Sequence, residues 1–260
     1  MKHKKSCFIL ITIVIIAFIG YGMYHYYTSP MKRTPYLITN NKEDTIRIAY
    51  IGDSWAFMHR EHNCQIARLL SEEIKHPVKV HSYGICGLTS KEIYENMFDN
   101  TDFKQFLQKR RYRYCFISAG INDSYKKMST SYYQQSMNYI IQFLLSNNIH
   151  PLVLEIPDYD IEKSFDRQTL SRKVLRYLSM FVNGTPIDCK QSFRDALNQM
   201  IQKEGYTNKI SVIQYQIWNG NGDKDLSTLY QKDGMHLNDY GYASLDTVIV
   251  NNIIKHHYHQ

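Results

Sequence analysis

The chain has no zinc-ligand spacing, no Gly-rich loop of the kind that cradles phosphates and no basic stripe. Those absences leave nothing to support nucleic-acid binding. Positive charge is also thinner than the total implies. Lys2, Lys4 and Lys5 supply three units of the formal net charge of +7, leaving +4 for all that follows. No internal repeat or low-complexity tract interrupts the sequence, and no cofactor is implied by any motif. With 43% hydrophobic and 21% charged residues, usage is that of an ordinary globular protein, so disorder is not expected outside the ends. A length of 260 residues accommodates a short N-terminal module and one globular domain with a sizeable core.

Cysteine is sparse. Of five in all, Cys64, Cys86, Cys115 and Cys189 lie beyond the N-terminal module. Four cysteines allow three complete pairings, and spacing does not choose among them. Buried free thiols are the alternative, since Cys115 sits inside an apolar strand-like run. His256, His257 and His259 could compose a metal tract, but their terminal position reads as a polar tail, and no metal is expected. The 22 tyrosines could stack on sugars, yet parallel enrichment in Lys, Asn and Ile fits a compositional bias.

What is present begins at the N-terminus. After the basic start, Cys7 to Met23 is a charge-free run rich in Ile, Leu, Val and Phe. At about 1.5 Å per residue its 17 residues reach roughly 25 Å, the short end for crossing a bilayer. A cleaved signal peptide has the same basic and apolar parts, but the small-x-small cleavage pattern is missing. The run leaves instead through Tyr21, Met23, Tyr24, Tyr26 and Tyr27, an aromatic group suited to a membrane interface. Residues 1–27 are therefore expected to form a transmembrane signal anchor, single-pass and uncleaved. Its basic end stays inside and the remaining chain lies on the extracytoplasmic side. Residues 28–44, polar and containing Pro30 and Pro35, read as a linker spanning roughly 20–25 Å as a flexible coil.

From residue 45 to 260, strand-like and helix-like segments alternate. Strands are expected over Thr45 to Gly52, Val78 to Ser82, Tyr112 to Ser118, His150 to Ile156 and Lys209 to Gln214. Helical spacing of apolar residues marks Glu61 to Ile74, Ser90 to Met97, Phe103 to Gln108 and Tyr132 to Leu145. Two further helices are expected over Gln191 to Glu204 and Tyr240 to Ile254. Such alternation predicts an α/β domain with a mostly parallel sheet of about five strands and helices on both faces. Its site should form at the carboxyl ends of the strands. Asp158 to Thr185 is the least regular segment; a substrate-facing insertion and a surface helix with loops fit it equally.

Four short blocks fall at those strand ends or in the last loop: Gly52-Asp53-Ser54, Gly84, Gly120-Ile121-Asn122-Asp123 and Asp233-Gly234-Met235-His236. Each alone has an ordinary explanation. Asp53 and Ser54 are good helix caps, Asp233-Gly234 is a common turn, Gly84 suits a turn, and Asn122-Asp123 suits an Asx turn or cap. Together and in this order they resemble the SGNH (GDSL-type) hydrolases, over roughly Thr45 to Ile254. The resemblance implies a three-layer α/β/α, flavodoxin-like fold and a catalytic domain at residues 45–260. It implies Ser54 as nucleophile, His236 as base and Asp233 as the carboxylate that orients the imidazole. It also implies an oxyanion hole from the backbone amides of Ser54 and Gly84 and the side-chain amide of Asn122.

The expected function is that of a membrane-anchored serine esterase acting on small, acetyl-type acyl esters, with cell-envelope or extracellular carbohydrate as the acceptor. No long apolar segment near the blocks suggests a lipid-tail groove, and bulky Trp55 and Phe57 after the nucleophile either narrow the cleft or point into the core. An acyltransferase using the same machinery on a glycan is one alternative. A catalytically silent carbohydrate-binding domain is another, which would not require Ser54, Asp233 and His236 together. The sequence between Asn122 and Asp233 carries no recognisable motif.

Overall fold

The computed structural model describes residues 2–38, 44–215 and 226–258, with side chains from residue 10 and, in the last stretch, from residue 227. Part of the expected linker, 39–43, and His259 lie outside the described residues. Five parallel strands form one sheet in the order β2-β1-β3-β4-β5. They are β1 (Ile46–Gly52), β2 (Val78–Gly84), β3 (Tyr114–Ser118), β4 (His150–Leu154) and β5 (Ser211–Ile213). This is the flavodoxin-like order, with the reversal at β1 and β3 that opens a crevice at the carboxyl edge.

The connections are helical, beginning after the N-terminal helix α1 (Lys2–Tyr27). Next come α2 (Ser54–Met58), α3 (Asn63–Ile74), α4 (Ser90–Asp99) and α5 (Thr101–Gln108). α6 (Ile121–Lys126), α7 (Thr130–Ser146), α8 (Ile161–Asp166), α9 (Leu170–Asn183) and α10 (Lys190–Lys203) follow. A short helix, Leu226–Leu229, and a C-terminal helix, Asp239–Tyr258, complete the described chain. Local chemistry sets the starts. Thr89 and Glu92 form a reciprocal capping box on α4, Asn100 accepts from Asp102 and Phe103 amides at α5, and Ser129 caps α7. The segment that looked irregular, Asp158 to Thr185, contains α8 and α9.

β1 and β3 are buried along their length, with Ile48, Ile51, Phe116 and Ile117 at the centre of the core. Tyrosines take a large share of that core: Tyr50, Tyr94, Tyr114, Tyr132, Tyr133, Tyr159 and Tyr242 are all buried. Part of their abundance is thus interior packing. Among the described residues the four domain cysteines are free, Cys115 and Cys189 buried, Cys64 and Cys86 exposed. No group of metal-ligating side chains is assembled among them either. His256 packs on His150, ring centroids 3.6 Å apart.

The stretch Leu10–Tyr27 of α1 is long and apolar enough to cross a membrane, and its side chains are exposed except for half-buried Tyr27. Residues 28–38 do not reach away from the domain as a free coil. The Arg33 amide donates to the Tyr94 hydroxyl, Tyr36 packs edge-on against Phe98 and Phe143, and the Ile38 amide donates to Asn147 Oδ1.

One buried polar contact joins distant parts of the fold. His59 Nε2 lies 2.6 Å from Asp246 Oδ1, with both side chains fully buried, and His59 Nδ1 lies 3.1 Å from Asn63 Oδ1. The pair fastens the turn after α2 to the C-terminal helix. His59→Ala should leave the Asp246 carboxyl buried without its imidazole and lower unfolding free energy by about 3–5 kcal/mol. Denaturant titration of the purified chain measures this, and a loss below about 1 kcal/mol would mean the pair holds nothing together.

Candidate active site

Three adjacent strands, β2, β1 and β3, end level. Gly52 of β1 pairs with Gly84 of β2 and with Ser118 of β3, so the chain turns out of the sheet at one height in three places. Two of these positions admit no side chain. A Cβ on Gly52 would collide with the Ser118 carbonyl oxygen, and one on Gly84 with the Phe57 amide and the Asp53 carbonyl. The backbone of β2 therefore approaches the first turn of α2 directly, and that turn begins with Ser54.

Asp53 is the N-cap of α2, its Oδ1 accepting from the Trp55 amide at 3.0 Å. The capping explanation of Asp53 is thus correct for that residue. Ser54, one residue on, is nearly buried, and its Oγ lies 3.0 Å from His236 Nε2. The other ring nitrogen, Nδ1, lies 2.5 Å from Asp233 Oδ2. Asp233 does two jobs at once. Its Oδ1 accepts from the amides of Met235 at 2.9 Å and His236 at 3.0 Å, which folds the turn, while Oδ2 receives the imidazole. Burial pushes the Asp233 carboxyl up, but these amides and the His236 ring outweigh it and hold it below the ordinary carboxylate value. An ionised Asp233 accepting from Nδ1–H leaves Nε2 as the acceptor facing Ser54.

The turn is held from outside as well. The Trp55 indole donates to the Met235 carbonyl at 3.1 Å, the Asp160 amide to the Gly234 carbonyl at 2.9 Å, and the Gln231 amide to the His236 carbonyl at 2.7 Å. Trp55 is fully buried, so it braces the turn and does not narrow the cleft. Phe57 is partly exposed and carries the Arg60 guanidinium 3.8 Å above its ring.

Asn122, at the start of α6, is buried, and its Nδ2 donates to Asp53 Oδ2 at 3.1 Å. One amide hydrogen is thereby committed, and the second remains for another acceptor. Asp123 turns elsewhere: its carboxylate accepts from the Ser90 amide at 2.8 Å and the Ser90 hydroxyl at 2.5 Å, tying this loop to α4. Ser54, Gly84, Asn122, Asp233 and His236 are thus brought to one end of the sheet. Asp53 and Trp55 are the residues whose positioning work the sequence did not reveal. A cap and a core aromatic look alike in sequence whether or not they also touch a neighbouring loop.

Beside Asn122 lies a cavity of about 620 Å³, bounded by α1 and α9. Met23, Tyr26, Leu175 and Leu178 give it apolar walls, and Arg172 and Lys126 lie along it. An apolar groove was not expected here, because its walls come from segments far from the four blocks in sequence.

The chain matches the GDSL-like Lipase/Acylhydrolase family over residues 50–244 and belongs to that family of ester hydrolases. No curated protein matches it in sequence. Among solved structures, the lipase/acylhydrolase from Enterococcus faecalis is 15% identical with a TM-score of 0.53, covering 80% of this chain and 95% of that one. An acetyl xylan esterase is 18% identical with a TM-score of 0.52, covering 79% of this chain and 98% of the other. A hydrolase from the metagenome of Lake Arreo, Spain, is 12% identical with a TM-score of 0.56, covering 80% and 94%. At these identities the likeness is one of fold, and the fold is the SGNH α/β/α sandwich anticipated from the four blocks.

Two carboxyls behind Ser54 make the site pH-sensitive. Burial pushes Asp53 up to about 7, with the neighbouring Asp123 charge adding to it against hydrogen bonds from Trp55 and Asn122. Burial likewise lifts Asp123 to about 6, against the two Ser90 hydrogen bonds. An unfolded aspartate titrates near about 4. Between roughly pH 4 and 7 the native chain therefore holds protons that the unfolded chain has released, and this contribution to stability falls as pH rises. Thermal unfolding of the purified protein across that range should show a shallower slope for Asp53→Asn than for wild type. Identical slopes would remove Asp53 from the titration.

Proposed function

We propose that the protein is a membrane-anchored serine esterase that works through an acyl-enzyme on Ser54. The hydrogen-bonded chain Ser54 Oγ, His236 and Asp233, at 3.0 and 2.5 Å, carries this reading. His236 Nε2 takes the Ser54 proton as Oγ attacks the ester carbonyl, and the imidazolium is stabilised by Asp233. The developing oxyanion is met by the Ser54 and Gly84 amides and the uncommitted Asn122 hydrogen, with Asp53 holding Asn122 in place. The proton on Nε2 passes to the leaving alcohol, which departs. Water, or an acceptor hydroxyl in a transfer reaction, then attacks the acyl-enzyme with His236 again as base. The α1 helix supports anchoring, with the catalytic domain on the extracytoplasmic side following from the basic residues that precede it.

For the acyl group, an acetyl-type ester on carbohydrate remains the first reading, and likeness of fold to an acetyl xylan esterase supports it. The apolar cavity beside Asn122 favours a second reading, an ester with a longer apolar acyl chain.

Ser54→Ala and His236→Ala should each abolish turnover of an aryl acetate, and Ser54→Ala should also abolish labelling by a fluorophosphonate. A folded Ser54→Ala protein that keeps full activity would sink the mechanism. Asn122→Ala should lower kcat by about 10²–10³, or about 2.7–4 kcal/mol, as for loss of one oxyanion donor. A raised KM at unchanged kcat would make Asn122 a substrate-positioning residue instead.

An aryl ester series from acetyl to octanoyl separates the two acyl readings. Rates falling with chain length fit the acetyl reading, whereas rates rising to eight carbons fit the apolar cavity and reject it.

A further inference from the structure

Helix α9 is turned inside out for a surface helix of a soluble domain. Such helices normally bury an apolar stripe and expose charge. Here Leu170, Val174, Leu175, Tyr177, Leu178, Phe181 and Val182 are exposed, Leu170 at 78% and Phe181 at 88%, while Arg176 and Ser179 are buried against the domain. At about 100° per residue the seven apolar positions share one face about 160° wide. Single exposed apolar residues need no explanation, but a contiguous set of seven on one helix marks an interaction surface.

Three observations say what covers it. First, the face continues onto α1. The Tyr27 hydroxyl and Ser179 Oγ lie 2.6 Å apart, and Leu175 and Leu178 share a cavity with Gly22, Met23 and Tyr26. The apolar side of α9 is thus level with the last turns of the helix read as the membrane anchor. Second, the charge on this element is of one sign: Arg172 and Lys173 flank the apolar face, Arg176 is buried beneath it, and no acidic residue occurs from Leu170 to Ile187. Third, this composition, apolar Leu and Phe on one face with Lys and Arg beside it, is that of a helix lying in a bilayer interface. Arg172 and Lys126, along the same cavity, fall where anionic headgroups would meet them.

We propose that α9 lies in the outer part of the bilayer that holds α1, with its apolar face among the acyl chains and Arg172 and Lys173 among anionic headgroups. The proposal rests on the anchor reading of α1. Because Asn122 lines the same cavity, the contact sets the catalytic crevice at the membrane surface, so ester groups presented there reach Ser54 directly.

Depth measurement on the full chain tests this. In a Cys7→Ser, Cys64→Ser, Cys86→Ser background, an environment-sensitive fluorophore is attached at Phe181→Cys, and in a separate protein at Phe18→Cys. The proteins are reconstituted into vesicles of zwitterionic lipid, with and without anionic phospholipid. The probe at 181 should shift to shorter wavelength and be quenched by a lipid-borne spin label, more strongly with anionic lipid, and resist aqueous iodide. A probe at 181 quenched by iodide and not by lipid, while the probe at 18 is lipid-quenched, would overturn the α9 contact and leave the anchor standing. A probe at 18 that remains in water would instead overturn the anchor reading. A blue shift at 181 that persists in detergent, unquenched by lipid and accompanied by a doubled mass, would assign the face to a second copy and also reject the proposal.

Discussion

Everything at the site depends on three parallel strands stopping at the same height. Gly52, Gly84 and Ser118 sit side by side, and the absence of side chains on the first two lets α2 start against the end of β2. A Cβ on Gly84 would force the first turn of α2 to lift away, and one on Gly52 would push β1 off the end of β3. Ser54 would then lose its position opposite His236. Backbone contact, rather than any single side-chain bond, determines where the nucleophile stands.

Above that floor, a few groups serve two neighbours each. Asp233 folds its own turn with one oxygen and receives the imidazole with the other. Asp53 caps α2 with one oxygen and holds Asn122 with the other. Trp55 fills the core and pins the Met235 carbonyl. Sharing of this kind makes the site rigid at small cost in residues, and it couples local folding to site geometry. It also leaves two buried carboxyls, Asp53 and Asp123, close enough to oppose each other's ionisation.

Most of the fold was legible because strand and helix periods are written locally. The expected β1, Thr45 to Gly52, differs from the observed Ile46–Gly52 by one residue, and the helix expected over Tyr132 to Leu145 runs Thr130–Ser146. The site residues were legible only through the order of the blocks, since Gly, Asp, Ser and Asn also make turns and caps. What stayed hidden was set by contacts between segments distant in sequence. The role of Trp55 depends on a carbonyl 180 residues away. The cavity beside Asn122 has walls from α1 and α9, and no local pattern brings those together. α9 lies in the segment that read as least regular, and a helical spacing would not say whether its apolar stripe faces a core or something else.

The attachment of α1 to the domain bears on how substrate is met. Lys91 Nζ donates to the carbonyls of His25, at 2.5 Å, and Thr28, at 3.0 Å, where α1 ends, and residues 28–38 lie along α4 and α7. A domain on a free leash explores a hemisphere of solution and meets its targets by three-dimensional diffusion. One mounted on its own helix end turns only as that helix turns. Under the anchor reading proposed for α1, its search is reduced to lateral drift in a plane, and molecules that do not come to that plane are out of reach.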